Sequence, residues 1–192
     1  MVIRVKPTKV DVSVARAIAR HTSPPVEEVA QIVTWGADEK ILCGLAAGWW
    51  LLCRGATSDR RLASDHLLLT TLAVSAVPHL LKAVFDQRRP DRVELEAHLH
   101  GTPFSGNAND AFPSGHALHI GALASAATVL RPAQRNAVWA VGAGLVLTRI
   151  VLLAHWVSDV AAGLLLGSCI ERSLRPLTGF GGSRHGDKRQ AP

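Results

Sequence analysis

Two stretches of this chain, residues 115–130 and 136–148, contain no Asp, Glu, Lys or Arg. A helix on the surface of a water-soluble bundle keeps one charged or strongly polar face toward solvent. These two offer only a scatter of Ser, Thr, His and Trp among Ala, Leu, Val and Gly. Such helices need lipid or protein interior on every side, which rules out most soluble folds. The shortage of charge is local. Across 192 residues, 19% are charged and 48% apolar, and the arginines gather at the ends of the apolar segments.

Read along the chain, this pattern predicts an all-α, integral membrane helical bundle of about five to six helices. Residues 1–36 read as an N-terminal amphipathic, interfacial segment. It has weak helical periodicity over 12–19, a stop at Ser23-Pro24-Pro25, and a short amphipathic helix over 26–35 with Glu27 and Glu28 in its first turn. Residues 37–175 hold the bundle, with apolar runs at 41–53, 67–85, 115–130, 136–154 and 157–170. Pro78 is expected to kink the second run. Residues 176–192 read as a disordered basic tail. Several runs fall short of the ~20 apolar residues that cross a bilayer core, but flanking residues extend each by a turn. Residues 1–7 lack the apolar core of a cleavable signal peptide, so insertion would rely on the internal helices.

Charge placement orients the bundle. Arg54, Arg60 and Arg61 separate the first two runs, Arg131 and Arg135 the third and fourth, and Arg172, Arg175, Arg184, Lys188 and Arg189 follow the fifth. The positive-inside rule places these on the cytoplasmic side. The long polar connection 86–112 and the turn around His155 then share the extracytoplasmic face, which fits a bacterial inner membrane. The basic N-terminal segment conflicts with a count of five spans, and an interfacial or re-entrant helix removes the conflict.

Several function classes drop out. The net charge of +6 could suit nucleic acid, but no basic stripe interleaved with aromatics occurs, so nucleic acid is not an expected partner. Cys43, Cys53 and Cys169 are an odd number without metal or redox spacing, and read as small hydrophobes. His98 and His100 form an H-x-H and His119 lies three after His116, yet no third ligand with defined spacing accompanies them. No metal or other cofactor is expected. His66 and His79 read as packing or interface residues.

Three short motifs carry chemistry, in the order Lys82-x6-Arg89-Pro90, Pro113-Ser114-Gly115-His116 and Arg149-x5-His155-x3-Asp159. An Arg closing an apolar run needs an anionic partner, and a phosphate matches its planar fork. His155 and Asp159 are four apart, the spacing that stacks side chains on one helix face. A carboxylate on one imidazole nitrogen would fix the tautomer and free the other nitrogen to attack. Six residues place Arg149 and His155 about 120° apart on a straight helix, so one helix is expected to end near Ala154 and another to start near Ser158. Pro113-Ser114-Gly115 opens a helix whose free amides and dipole suit an anion, and His116 is placed to protonate a leaving oxygen. Arg88 competes with Arg89 for the cation role, but Pro90 follows Arg89.

The ordered set resembles the signature of the type 2 phosphatidic acid phosphatase (PAP2) family, a superfamily shared with vanadium haloperoxidases. The resemblance covers residues 82–159. Its one departure is Thr148, where the family usually has Ser. It implies that His155 is the nucleophile, forming a phosphohistidine, with Asp159 orienting it and His116 the general acid. It implies that Lys82, Arg89, Ser114, Gly115 and Arg149 hold the phosphoryl oxygens without a metal. The implied activity is hydrolysis of a lipid phosphomonoester or pyrophosphate. Substrates would be of the phosphatidate type, a polyprenyl pyrophosphate such as undecaprenyl pyrophosphate, or a phosphorylated glycolipid. Two alternatives stay open: a vanadate-dependent haloperoxidase-like enzyme, and a non-catalytic lipid-binding membrane protein of the same fold.

Overall fold

The computed structural model describes residues 3–93 and 109–182. Two short helices precede a bundle of five. α1 (Lys9–His21) is capped by Thr8, whose hydroxyl accepts from the Asp11 amide while the Asp11 carboxylate accepts from the Thr8 amide. α2 (Pro24–Val33) carries both prolines in its first turn, where a missing N–H costs nothing. α3 (Glu39–Leu52) starts at Asp38, whose carboxylate accepts from the amides of Lys40 and Ile41. α4 (Ser58–Lys82) begins well before the apolar run because Asp59, Arg60, Arg61 and Asp65 build its first two turns, and it continues through Pro78. α5 (Gly115–Ala126), α6 (Pro132–Val151) and α7 (Val157–Thr178) complete the bundle. A two-residue parallel pair joins β1 (Ile3–Arg4) to β2 (Phe85–Asp86). Apart from that clip and an isolated bridge between Gln87 and Asp110, the regular structure of the described residues is helical.

α5 and α7 form the centre, and their backbones nearly touch. A Cβ on Gly167 would lie 1.9 Å from the Leu118 carbonyl oxygen, and one on Gly121 would lie 2.2 Å from that of Leu164. One on Gly163 would meet the Ser114 carbonyl oxygen at 2.7 Å. Gly163 and Gly167 are a small-xxx-small pair, the spacing that lets helices approach closely where lipid removes the hydrophobic drive. This contact fixes the start of α5 against the start of α7.

The C-terminal ends of α4 and α6 and the N-terminal ends of α5 and α7 lie together, bringing the three motifs to one end of the bundle. The N-terminal segment lies there too. The Asp11 carboxylate accepts from the Ser158 amide at 2.9 Å and from its hydroxyl at 2.8 Å, so α1 clamps the first turn of α7. α2 packs beside the end of α6, with Ala30 against Leu152 and Ala154.

The opposite end is held by a buried polar cluster. Glu171 accepts from the Ser125 hydroxyl at 2.5 Å and from Arg175 Nε at 2.7 Å, and lies 3.1 Å from His66 Nε2. Phe180 stacks on His66 with ring centroids 4.2 Å apart. α7 runs on into the segment expected as a tail from residue 176, reaching Thr178, and Gly179 ends it at φ 74°. Residues 183–192 lie outside the described part, as do His98 and His100.

No described helix is long and apolar enough to cross a membrane on its own. The outer surface is nevertheless apolar along the bundle, with Leu45, Leu72, Leu80, Val141, Leu147 and Leu165 all more than half exposed.

Candidate active site

The turn between α6 and α7 sets the site. α6 ends in a Schellman motif: the Leu153 amide bonds the Ile150 carbonyl at 3.0 Å and the Ala154 amide bonds that of Arg149 at 3.1 Å. The left-handed position usually filled by Gly is held by Leu153 at φ 51°, a conformation costing roughly 1–2 kcal/mol for a residue with a Cβ. Burial of its side chain, 2% exposed, offsets that cost. Its carbonyl accepts from the Asp91 amide at 3.0 Å, tying the turn to the segment after Arg89. α6 stops at Val151 and α7 starts at Val157, a break somewhat earlier than the spacing predicts.

His155 is buried in this turn. Its Nδ1 lies 2.7 Å from the Ala111 carbonyl oxygen. A carbonyl only accepts, so Nδ1 carries the proton and the neutral ring keeps its lone pair on Nε2. Asp159 does not make the expected bond to the ring. Its Oδ2 is 3.9 Å from Nδ1 and accepts from the Trp156 amide at 2.9 Å. The reason is position: His155 precedes α7 by two residues, so the helical i, i+4 stacking is unavailable. Asp159, in the first turn, caps the helix instead. Tautomer control thus falls to Ala111. Burial, and then the charges of Arg149, Arg89 and Lys82, hold the His155 imidazolium well below the usual histidine range.

Those three cations come from separate elements. Arg89 is 4% exposed and Arg149 5%, whereas Arg88 is exposed. The indole nitrogen of Trp156 donates to the Arg88 carbonyl at 2.8 Å, fastening this segment beside His155. Arg149 donates one bond to the Thr34 hydroxyl at 3.0 Å. Nη1 of Arg89 and Nε of Arg149 are buried with no hydrogen-bond partner among the described residues. Unpaired buried donors are costly, and an anion would satisfy both.

Ser114 caps α5, its hydroxyl accepting from the Ala117 amide at 3.4 Å. Its own amide donates to the Asp159 carbonyl at 3.3 Å, joining the second motif to the third. The amides of Gly115 and His116 follow in the first turn, where a helix supplies no acceptor. His116 lies against the backbone of Thr34. His119, one turn on, faces α4 instead, with Nε2 3.3 Å from the Ser75 hydroxyl. Thr148 is buried and turns its hydroxyl to the Leu145 carbonyl at 2.6 Å, leaving Arg149 undisturbed.

Sequence reasoning missed Ala111, Asp110, Asp91 and Asp11. Asp110 bonds Arg89 at 2.8 Å and lies 3.5 Å from Lys82 Nζ. Asp91 is buried beside the arginines, and burial raises its carboxyl above the usual range. A signal existed for Asp91, which directly follows Arg89-Pro90. None existed for Ala111, which acts through its backbone.

The comparisons with known proteins agree with this geometry. Residues 66–177 match the model of the PAP2 superfamily. The lipid A 1-phosphatase of Rhizobium etli is 40% identical over 155 residues, covering 74% of this chain and 67% of the relative. That of Rhizobium johnstonii is 36% identical over 163 residues, covering 78% and 67%. The crystal structure of LpxE from Aquifex aeolicus superposes with a TM-score of 0.66 at 16% identity, over 90% of this chain and 98% of that one. A transmembrane PAP2-type phosphatidylglycerolphosphate phosphatase from Bacillus subtilis gives 0.61 at 20% identity, over 88% and 84%. The chain belongs to the PAP2 superfamily. It is an enzyme of the phosphoric-ester hydrolase class.

Proposed function

We propose that this protein is a membrane-embedded phosphatase that removes phosphate from a lipid head group through a phosphohistidine, and that the lipid is a phosphorylated glycolipid of the lipid A 1-phosphate kind. The observation that carries the chemistry is the arrangement around His155: a neutral ring with Nε2 free, facing Lys82, Arg89 and Arg149. The choice of lipid rests on the two relatives that are at least 36% identical.

In the first step the Nε2 lone pair attacks phosphorus and the bond to the lipid oxygen breaks. That oxygen takes a proton from His116. In the second step the now neutral His116 takes a proton from water as its oxygen attacks phosphorus. The N–P bond breaks, its electrons return to Nε2, and inorganic phosphate leaves. Lys82, Arg89, Arg149 and the amides at the start of α5 neutralise the phosphoryl oxygens throughout. Phosphomonoester hydrolysis is among the slowest uncatalysed reactions, with enhancements of up to ~10²¹-fold, a demand that suits so many donors aimed at one group.

Membrane embedding is supported by the exposed leucines and valines along the bundle. α4, α6 and α7 have 25, 20 and 22 residues. At about 1.5 Å per residue each matches or exceeds a ~30 Å bilayer core. The arginines at the end opposite the site favour a cytoplasmic location for that end and an extracytoplasmic site in a bacterial inner membrane.

The test is phosphate release by purified protein in detergent from lipid A carrying a 1-phosphate, from phosphatidate and from undecaprenyl pyrophosphate. The glycolipid is expected to turn over fastest. Faster turnover of either other lipid removes the substrate assignment but keeps the class. No release from any lipid by folded protein removes the class, and bromide oxidation with added vanadate would then favour the haloperoxidase alternative.

A further inference from the structure

We propose that Asp110 is a built-in competitor for the phosphate site, a carboxylate that weakens the hold of Lys82 and Arg89 on phosphate and so promotes product release. The inference rests on the phosphatase reading above and deepens it. The Asp110 carboxylate bonds Arg89 at 2.8 Å and lies 3.5 Å from Lys82 Nζ, with its side chain 21% exposed. It therefore touches two of the three cations assigned to phosphate.

Its placement is not incidental. Asp110 pairs as an isolated parallel bridge with Gln87, between Lys82 and Arg89 in the chain. The Gln87 amide donates to the Asn109 carbonyl at 3.1 Å, and the Ala111 amide donates to the Gln87 carbonyl at 3.0 Å. The next carbonyl along, that of Ala111, holds His155 Nδ1. The backbone of Asp110 cannot withdraw without disturbing the nucleophile, so the carboxylate yields to phosphate only by rotating its side chain. Part of the attraction between the cations and any phosphate is thereby cancelled by a neighbour that stays within reach.

Charge gives the direction of the consequence. A carboxylate bonded to Arg89 and 3.5 Å from Lys82 cancels one of the positive charges offered to a phosphate. Without Asp110 the site would be more positive by one charge and would hold inorganic phosphate longer. Asp110 is thus a residue that sets affinity, and it takes no part in bond making.

The experiment compares Asp110→Asn, Asp110→Ala and Asp110→Glu with wild type in detergent. It measures KM, kcat, the inhibition constant for inorganic phosphate, and the thermal shift that phosphate or vanadate produces. Asn and Ala are expected to lower the phosphate inhibition constant about tenfold, equivalent to about 1.4 kcal/mol, to lower KM and to enlarge the thermal shift. Glu is expected to restore values near wild type. An unchanged or raised inhibition constant in both Asn and Ala, with wild type still inhibited by phosphate, overturns the role of Asp110 alone. If wild type neither releases phosphate from any lipid nor responds to phosphate or vanadate, the phosphatase reading fails and this inference with it. The thermal shift reads binding directly, so a variant with poor turnover still decides.

Discussion

The backbone amide of His155 donates to the carbonyl of Arg149 at 3.2 Å. The last turn of α6 therefore places the imidazole and the guanidinium by main-chain bonds, independent of either side chain. Substituting His155 is then expected to remove chemistry and leave the turn intact. His155→Ala is predicted to lower kcat by at least about 10³-fold with an unchanged melting curve. It would also abolish the phosphate-labelled protein that acid-sensitive, base-stable trapping detects in wild type. An active His155→Ala would refute the nucleophile assignment.

Asp159 serves the α7 cap more directly than the ring, and two substitutions separate these roles. Asp159→Asn keeps an oxygen for the Trp156 amide and is predicted to retain stability. Asp159→Ala loses the cap and about 1 kcal/mol. If tautomer control belongs to Ala111, Asn costs kcat much less than His155→Ala does. Thermal melting and kcat on the two variants decide.

The acid limb of activity follows from the environment of His155. Its imidazolium is disfavoured by burial first and then by Arg149, Arg89 and Lys82, so the nucleophile stays neutral below pH 6.5. The acid limb of kcat/KM governed by this group is expected to lie below that value. Arg89→Met removes one cation and is predicted to move the limb toward higher pH while weakening phosphate binding. A wild-type limb at or above pH 6.5 assigned to His155 by its trapping profile would contradict this.

Glycine spacing supports the site from a distance. Gly167→Ala drives a methyl into the Leu118 carbonyl and is predicted to cost about 1–3 kcal/mol, the range for overpacking. Because α5 then shifts from α7, kcat is expected to fall as well, although residue 167 touches no substrate. Gly144 has nothing within 4 Å of a built Cβ. Gly144→Ala on α6 is expected to be neutral or to stabilise by up to about 1 kcal/mol, as read by thermal melting.

The cluster at the far end predicts the opposite pattern. Glu171→Ala removes the acceptor of the Ser125 hydroxyl and of Arg175 Nε and is expected to cost about 1–3 kcal/mol, the range for buried polar groups left without a partner. Turnover per folded molecule is expected to stay near wild type, because the cluster lies away from the motif end. Chemical denaturation and active-site-normalised rates check both halves.

Much of this was legible in the residue order. Charge-free stretches mark the bundle helices, and arginines at their ends are enough to put Lys82, His116 and His155 at one end. Helix boundaries were less clear where charge enters a helix, as in the first turns of α4. The orientation of His155 was misread because His-x3-Asp spacing presumes a helix, and the Schellman turn at Leu153 breaks it. Ala111 and Asp110 were hidden for a different reason. One acts through a backbone carbonyl, and the other is an ordinary loop aspartate until pairing with Gln87 brings it to the cations.

The grip of Asp11 on Ser158 joins residues 147 positions apart. During synthesis α1 leaves the ribosome well before the surface it must grasp has been made. A nascent chain carrying every cation of the first two motifs still lacks both His155 and the clamp on the helix that follows it. On the proposed mechanism, competence to hydrolyse therefore arrives only once α7 has been made, so a chain stalled before it is chemically silent toward the lipids around it.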